Sequence, residues 1–119
     1  MKHVYYLDNC STCRKVIEEV GLDHRFTFQN LKQMPILASQ LDWLATKVGS
    51  YGRLLNKQSR KYKEMGLAGK ELSESEIRDL ILQEYTFLKR PVVIVEDNVF
   101  VCRDKKTIAE LIHTMKVKG

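Results

Sequence analysis

The sequence predicts an α/β protein built on a four-stranded mixed sheet, in the order β-α-β, a helical insertion, then β-β-α. Three observations carry this. An apolar run, Val4-Tyr5-Tyr6-Leu7, leads into Cys10-Ser11-Thr12-Cys13 and a stretch of helical spacing. No strand pattern appears from Pro35 to Glu84. Strands then resume at Val92-Val93-Ile94-Val95, return through Val99-Phe100-Val101, and give way to a last helix. With 119 residues and 44% hydrophobic content, the chain is expected to form one domain over 1–119, with the helical insertion at about 35–86.

His3 to Leu7 reads as a buried strand, because its apolar residues run together without polar alternation. Ser11 or Thr12 is expected to cap the following helix, where Val16, Ile17 and Val20 form an apolar stripe and Gly21 supplies the stop. From Arg25 to Leu31, Phe26 and Phe28 alternate with polar residues, the pattern of a strand with one buried face. A strand-helix-strand order with short connections favours a parallel pair joined by a right-handed crossover.

Pro35 fits the first turn of a helix in which Leu37, Leu41, Leu44 and Val48 recur before Gly49, with Trp43 as an anchoring ring. A basic helix spans about Ser59 to Met65, and Ser73 with Glu76 forms a capping box for another carrying Ile77, Leu80 and Ile81. None of these helices is long enough to hold a core alone, so they read as an insertion rather than a second domain. Asp97-Asn98 tolerates positive φ and is expected to turn the final hairpin. In the last helix, from about Lys105 to Met115, Ile108, Leu111, Ile112 and Met115 lie on one face, and His113 reads as a surface residue. The resulting topology is the thioredoxin-like order.

The formal charge of +5 reflects 20 Lys and Arg against 15 acids, with much of the excess between Arg53 and Lys63. Such a run could attract a phosphate-like anion. It lacks the interleaved aromatics of single-strand binders and reads as a solvated helical face, so no direct nucleic-acid contact is expected. No apolar run approaches the roughly 20 residues needed to span a bilayer. The N-terminus goes directly into a strand pattern, and a reducing cytoplasm is the expected compartment.

The chemistry concentrates at Cys10 and Cys13. A thiolate is the nucleophile, and unpaired N–H groups at a helix N-terminus favour negative charge on sulfur, so Cys10 is the candidate attacking thiol. Cys13, about one turn along the helix, can attack a mixed disulfide formed at Cys10 and is the candidate resolving thiol. Half a zinc site and a structural disulfide compete with this reading. Zinc usually takes paired ligands, and the remaining cysteine, Cys102, has no His paired with it. Structural bridges suit small secreted domains rather than a chain of this kind with an odd cysteine count. No metal and no bound cofactor are expected.

These residues resemble the arsenate reductase and Spx family, thioredoxin-fold proteins with a helical insert, in its CxxC-containing branch. The resemblance rests on Cys10 to Lys15 after the first strand, Asn56 to Tyr62 and Gly66-Leu67 in the insert, and Leu88-Lys89-Arg90-Pro91 before the third strand. It implies that an Arg-Pro pair stands beside the site cysteine, with Pro91 cis and Arg90 lowering the Cys10 pKa while holding an oxyanion or a charged thiol partner. Ser11, Thr12, Arg90 and Arg103 form the implied anion-binding set. Arsenate reductases of this type surround the cysteine with three arginines; Arg90 and Arg103 match two, and Asn56 stands at the third position. The implied function is a thiol-disulfide oxidoreductase, and with Asn56 in place of the third arginine its arsenate turnover is expected to be weak or absent. Its implied partners are glutathione as reductant, glutaredoxin or thioredoxin, and a small oxyanion. The alternative is an Spx-like redox regulator that docks on the RNA polymerase α subunit.

Overall fold

The computed structural model describes residues 1–118. In chain order the elements are β1 (Lys2–Tyr6), α1 (Ser11–Val20), β2 (Thr27–Asn30), α2 (Ala38–Val48), α3 (Arg60–Glu64), α4 (Glu74–Gln83), β3 (Val92–Val95), β4 (Asn98–Val101) and α5 (Lys105–Lys118). The chain divides into two compact units, one of residues 1–34 with the chain from Arg90 onward, the other Pro35–Lys89.

The first unit is a four-stranded sheet of order β2-β1-β3-β4. β1 and β2 are parallel, whereas β3 is antiparallel to both β1 and β4. β1 and β4 therefore point the same way, and α1 and α5, which follow them, start from the same end of the sheet. Residues Val92 to Val95 are all fully buried, which explains an apolar run without alternation. Val93 and Val95 join Val4, Val16, Phe26 and Leu111 in a core between sheet and helices.

Local geometry corrects two expectations here. The turn into α1 is made at Cys10, whose backbone is extended (φ −105°, ψ 116°) and whose carbonyl accepts the Arg14 N–H at 3.1 Å. Cys10 thus holds the N-cap position, and Ser11 and Thr12 lie inside the first turn instead of capping it. The helix closes as expected at Gly21, where φ is 77° and the N–H donates to the Ile17 carbonyl at 3.0 Å. In the hairpin, Val95 pairs with Asn98, so the loop is Glu96-Asp97, one residue earlier than Asp97-Asn98. Glu96 takes a φ of 56°. Its carboxylate reaches the Met1 amino group and Lys2 Nζ, each at 3.2 Å, and its amide donates to the Met1 carbonyl at 2.7 Å. Contacts with the chain start hold a left-handed conformation that Asn would otherwise be chosen to supply.

In the second unit α2 begins at Ala38, past Pro35, because Gln40 Oε1 accepts the Leu37 N–H at 2.9 Å and fixes the start there. Trp43 is half-buried beneath Lys47 Nζ, 5.4 Å from its ring centroid, while Leu41, Leu44, Leu54 and Phe87 are fully buried and supply the apolar core of this unit. Polar side chains tie its elements. Asp42 accepts from Arg78 at 2.7 and 3.2 Å and from the Tyr51 hydroxyl at 2.6 Å, and Glu74 accepts the Tyr51 and Gly52 amides at 2.7 and 3.1 Å. Hydrogen bonds from Arg78 and Tyr51 hold the Asp42 carboxyl down at about 2. The Ser73–Glu76 capping box forms as expected, at 3.1 and 3.0 Å.

Burial on α5 sets one stability prediction. Leu111 is 0% exposed and Val117 is 68% exposed. Leu111→Ala should lower unfolding free energy by about 2–5 kcal/mol in urea titration, and Val117→Ala should stay within about 0.5 kcal/mol of the parent.

Candidate active site

The strand directions assemble the site. β1 ends below the loop to Cys10, whose N–H donates to the Leu7 carbonyl at 3.3 Å. β3 begins immediately after Arg90-Pro91, joined by a cis peptide bond, and β4 leads into Cys102-Arg103 at the same end. The Cys102 N–H donates to the Pro91 carbonyl at 3.0 Å, which fastens the entry of β3 to the exit of β4. Cys10, Cys13, Arg90, Pro91 and Arg103 are thereby gathered at one edge of the sheet.

Electrostatics separate the three thiols, all of them free. Partial burial of Cys10 opposes its ionisation. The Cys13 N–H, the Cys13 thiol, the Arg90 charge and the Thr12 N–H outweigh that opposition and bring its pKa below the usual thiol value. Cys13 is fully buried, and burial pushes its thiol up to about 12; the Leu7 amide and Arg90 pull it down, and the neighbouring Cys10 raises it. Cys102 is also pushed to about 12, chiefly by burial and then by Asp104 and Cys13. Its Sγ lies 3.6 Å from the Phe100 carbonyl oxygen.

The remaining expected site residues divide. Arg90 acts on both CxxC sulfurs, and its Nε is buried. Thr12 contributes its amide to Cys10, while Ser11 is exposed on the first turn. Arg103 is exposed and shares with Thr12 a groove between α1 and α5. Asn56 belongs to the second unit, where it is 6% exposed. Its Nδ2 donates to the Thr86 carbonyl at 3.2 Å and its Oδ1 accepts the Gln58 N–H at 3.1 Å. Both ends of that amide are engaged in holding the insert. Lys15 and Lys105, which share the groove with Arg103, went unnoticed in the sequence because nothing in their local pattern signals that α1 and α5 run side by side. No group of three or more His, Cys, Asp or Glu able to hold a metal ion occurs among the described residues. No described helix is long and apolar enough to cross a membrane.

A CxxC at the start of a helix, beside a cis proline that opens a central strand, defines a thioredoxin-like thiol protein. The chain belongs to the ArsC family, whose profile matches residues 5–111. The arsenate reductase of Escherichia coli K12 is 25% identical over 111 residues, covering 92% of this chain and 79% of that protein. Two solved structures share the fold. An arsenate reductase from Vibrio cholerae superposes with a TM-score of 0.75 at 17% identity, covering 92% of this chain and 96% of that one. A protein related to the ArsC family from Bacteroides fragilis gives 0.76 at 22% identity with the same coverage. Family membership supports a role of the thiol-oxidoreductase kind.

The asymmetry of the thiols has a measurable pH signature. Because the Cys10 pKa is lowered, its thiolate is present above that depressed value and is lost as pH falls through it. Iodoacetamide alkylation followed against pH should show one thiol reacting below the ordinary range of about 8.5. Cys10→Ser should remove that phase, and Arg90→Gln should move it to higher pH without abolishing it.

Proposed function

We propose that this protein is a thiol-disulfide oxidoreductase in which Cys10 is the nucleophile and Cys13 the resolving thiol. The observation that carries the reading is the opposite treatment of two sulfurs one helical turn apart, the partly exposed one eased toward the thiolate by its neighbours and the buried one held as a thiol. Cys10 thiolate attacks a substrate disulfide RS–SR′, forms Cys10–SR and expels R′S⁻. The Cys13 thiol then gives up its proton and its sulfur attacks Cys10 Sγ, forming the Cys10–Cys13 bond and releasing RS⁻. Two electrons pass from the dithiol to the substrate. Loss of the Cys10 thiolate as leaving group is aided by the same donors that lowered its pKa, so the cycle also runs in reverse with an external dithiol. Glutathione, glutaredoxin or thioredoxin is the reductant class that regenerates the thiols.

Arsenate is a poor substrate in this reading. Arg90 and Arg103 supply charge at the sheet end, but Asn56 offers neither the fixed charge nor the forked donors of an arginine, and its amide is already engaged. An assay with glutathione, glutaredoxin and arsenate should give weak or no turnover, and efficient turnover would overturn this part of the proposal.

Diamide in the presence of glutathione tests the thiol roles. Wild type should form an intramolecular Cys10–Cys13 bridge, and Cys13→Ser should instead accumulate glutathione on Cys10, both read by intact mass and peptide mapping. A bridge to Cys102, or glutathione on Cys13 in the Cys10→Ser protein, would reverse the assignment. Absence of disulfide reduction together with a redox-dependent complex with the purified RNA polymerase α C-terminal domain would favour the regulator instead.

A further inference from the structure

A groove of about 640 Å³ runs between α1 and α5 and opens at the thiol end of the sheet. Since β1 and β4 are parallel, the first turns of both helices lie at that end. The groove is therefore ordered along its length. At the thiol end it presents Thr12, Lys15, Arg103 and Lys105; one turn beyond Lys15, about 6 Å along α1, it reaches Glu19, with Ile108 and Ile112 of α5 also lining it. Asp104 also borders the thiol end, but its carboxylate is turned to its own helix, accepting the Thr107 N–H at 2.7 Å. Lys15 and Lys105 form no ion pair among the described residues. Both are exposed, so their ammonium groups can meet a bound anion without rearranging a core.

We propose that this groove selects disulfides carrying a carboxylate near the sulfur, with Lys15 and Lys105 as the specificity-determining residues. The inference rests on Cys10 being the attacking thiol, because Thr12 ties the groove to that sulfur. A substrate whose sulfur meets Cys10 extends its carboxylate over the first turns of α1 and α5, where positive charge exceeds negative. The groove adds no chemical step. It raises the local concentration of anionic disulfides and leaves neutral ones to the intrinsic reactivity of Cys10.

Three small symmetric disulfides test this: dianionic 3,3′-dithiodipropionate, neutral bis(2-hydroxyethyl) disulfide and dicationic cystamine. Second-order rate constants for oxidation of the reduced protein are compared between wild type and Lys15→Gln/Lys105→Gln. The double variant should lose about fivefold in rate with the dianion, stay within about twofold with the neutral compound, and gain with the dication. Charge reversal in Lys15→Glu should deepen the loss with the dianion, and high salt should narrow the wild-type difference between dianion and neutral probe. An unchanged dianion rate in the double variant, or an equal fall with the dianion and the neutral probe, would overturn the groove assignment while leaving Cys10 as nucleophile. Failure of the neutral compound to oxidise wild-type Cys10 would instead overturn the oxidoreductase reading and the groove proposal with it.

Discussion

The position of β3 is the constraint on which the site depends. Lying antiparallel between β1 and β4, it brings its own start to the same sheet end at which its two neighbours finish. Two loops and one strand entry must then share that edge. One loop carries Cys10 and Cys13, the other carries Cys102 and Arg103, and the strand entry carries Arg90 and Pro91. Complete burial of Val92 to Val95 keeps β3 in the interior of the sheet, paired along one side with β1 and along the other with β4. The hydrogen bond from Cys102 N–H to the Pro91 carbonyl closes the edge with backbone atoms alone. The geometry around the thiols is thus tied to the sheet rather than to mobile side chains.

Within that edge, burial and amide direction decide which cysteine can react. α1 begins just past Cys10, so the Thr12 and Cys13 N–H groups have no intrahelical acceptor, and both favour negative charge on the Cys10 sulfur. Cys13 faces the core from inside the first turn, and the removal of water there outweighs its favourable neighbours. A single positive charge, Arg90, acts on both sulfurs and still leaves them far apart in acidity. The third thiol, Cys102, shares the apolar core with Val93 and Leu111 and behaves as a small hydrophobe.

The inserted unit is held differently, by charge-assisted hydrogen bonds between helices as well as by apolar packing. Asp42 receives both Arg78 and Tyr51, and a second carboxylate, Glu74, receives two successive backbone amides. Asn56, Ser59 and Thr86 are linked to one another and to Glu84, with Ser59 Oγ and Thr86 Oγ1 2.8 Å apart and Thr86 Oγ1 donating to Glu84 Oε2 at 2.9 Å. The basic run from Arg53 to Lys63 sits outward around a buried Tyr62 that meets Phe87 edge-on, with ring centroids 5.9 Å apart. In a stretch so organised, one buried tyrosine fixes a five-residue helix that could not stand alone.

The sequence by itself determined the element order, the sheet class and the thiol pair at a strand-helix junction. Each of these follows from patterns only a few residues wide: an unbroken apolar run, a 3.6-residue stripe, a Ser-x-x-Glu box, a glycine after a helix. Helix and turn boundaries were less legible. The start of α1 fell at Cys10 and the hairpin loop at Glu96-Asp97, the latter held by Met1 and Lys2 from far away in the chain. Only the tertiary structure decided what surrounds the sulfurs. The engagement of Asn56 with Thr86 and the groove shared by Lys15 and Lys105 join residues distant in sequence, because tertiary packing, not local propensity, sets which parts of the chain come together.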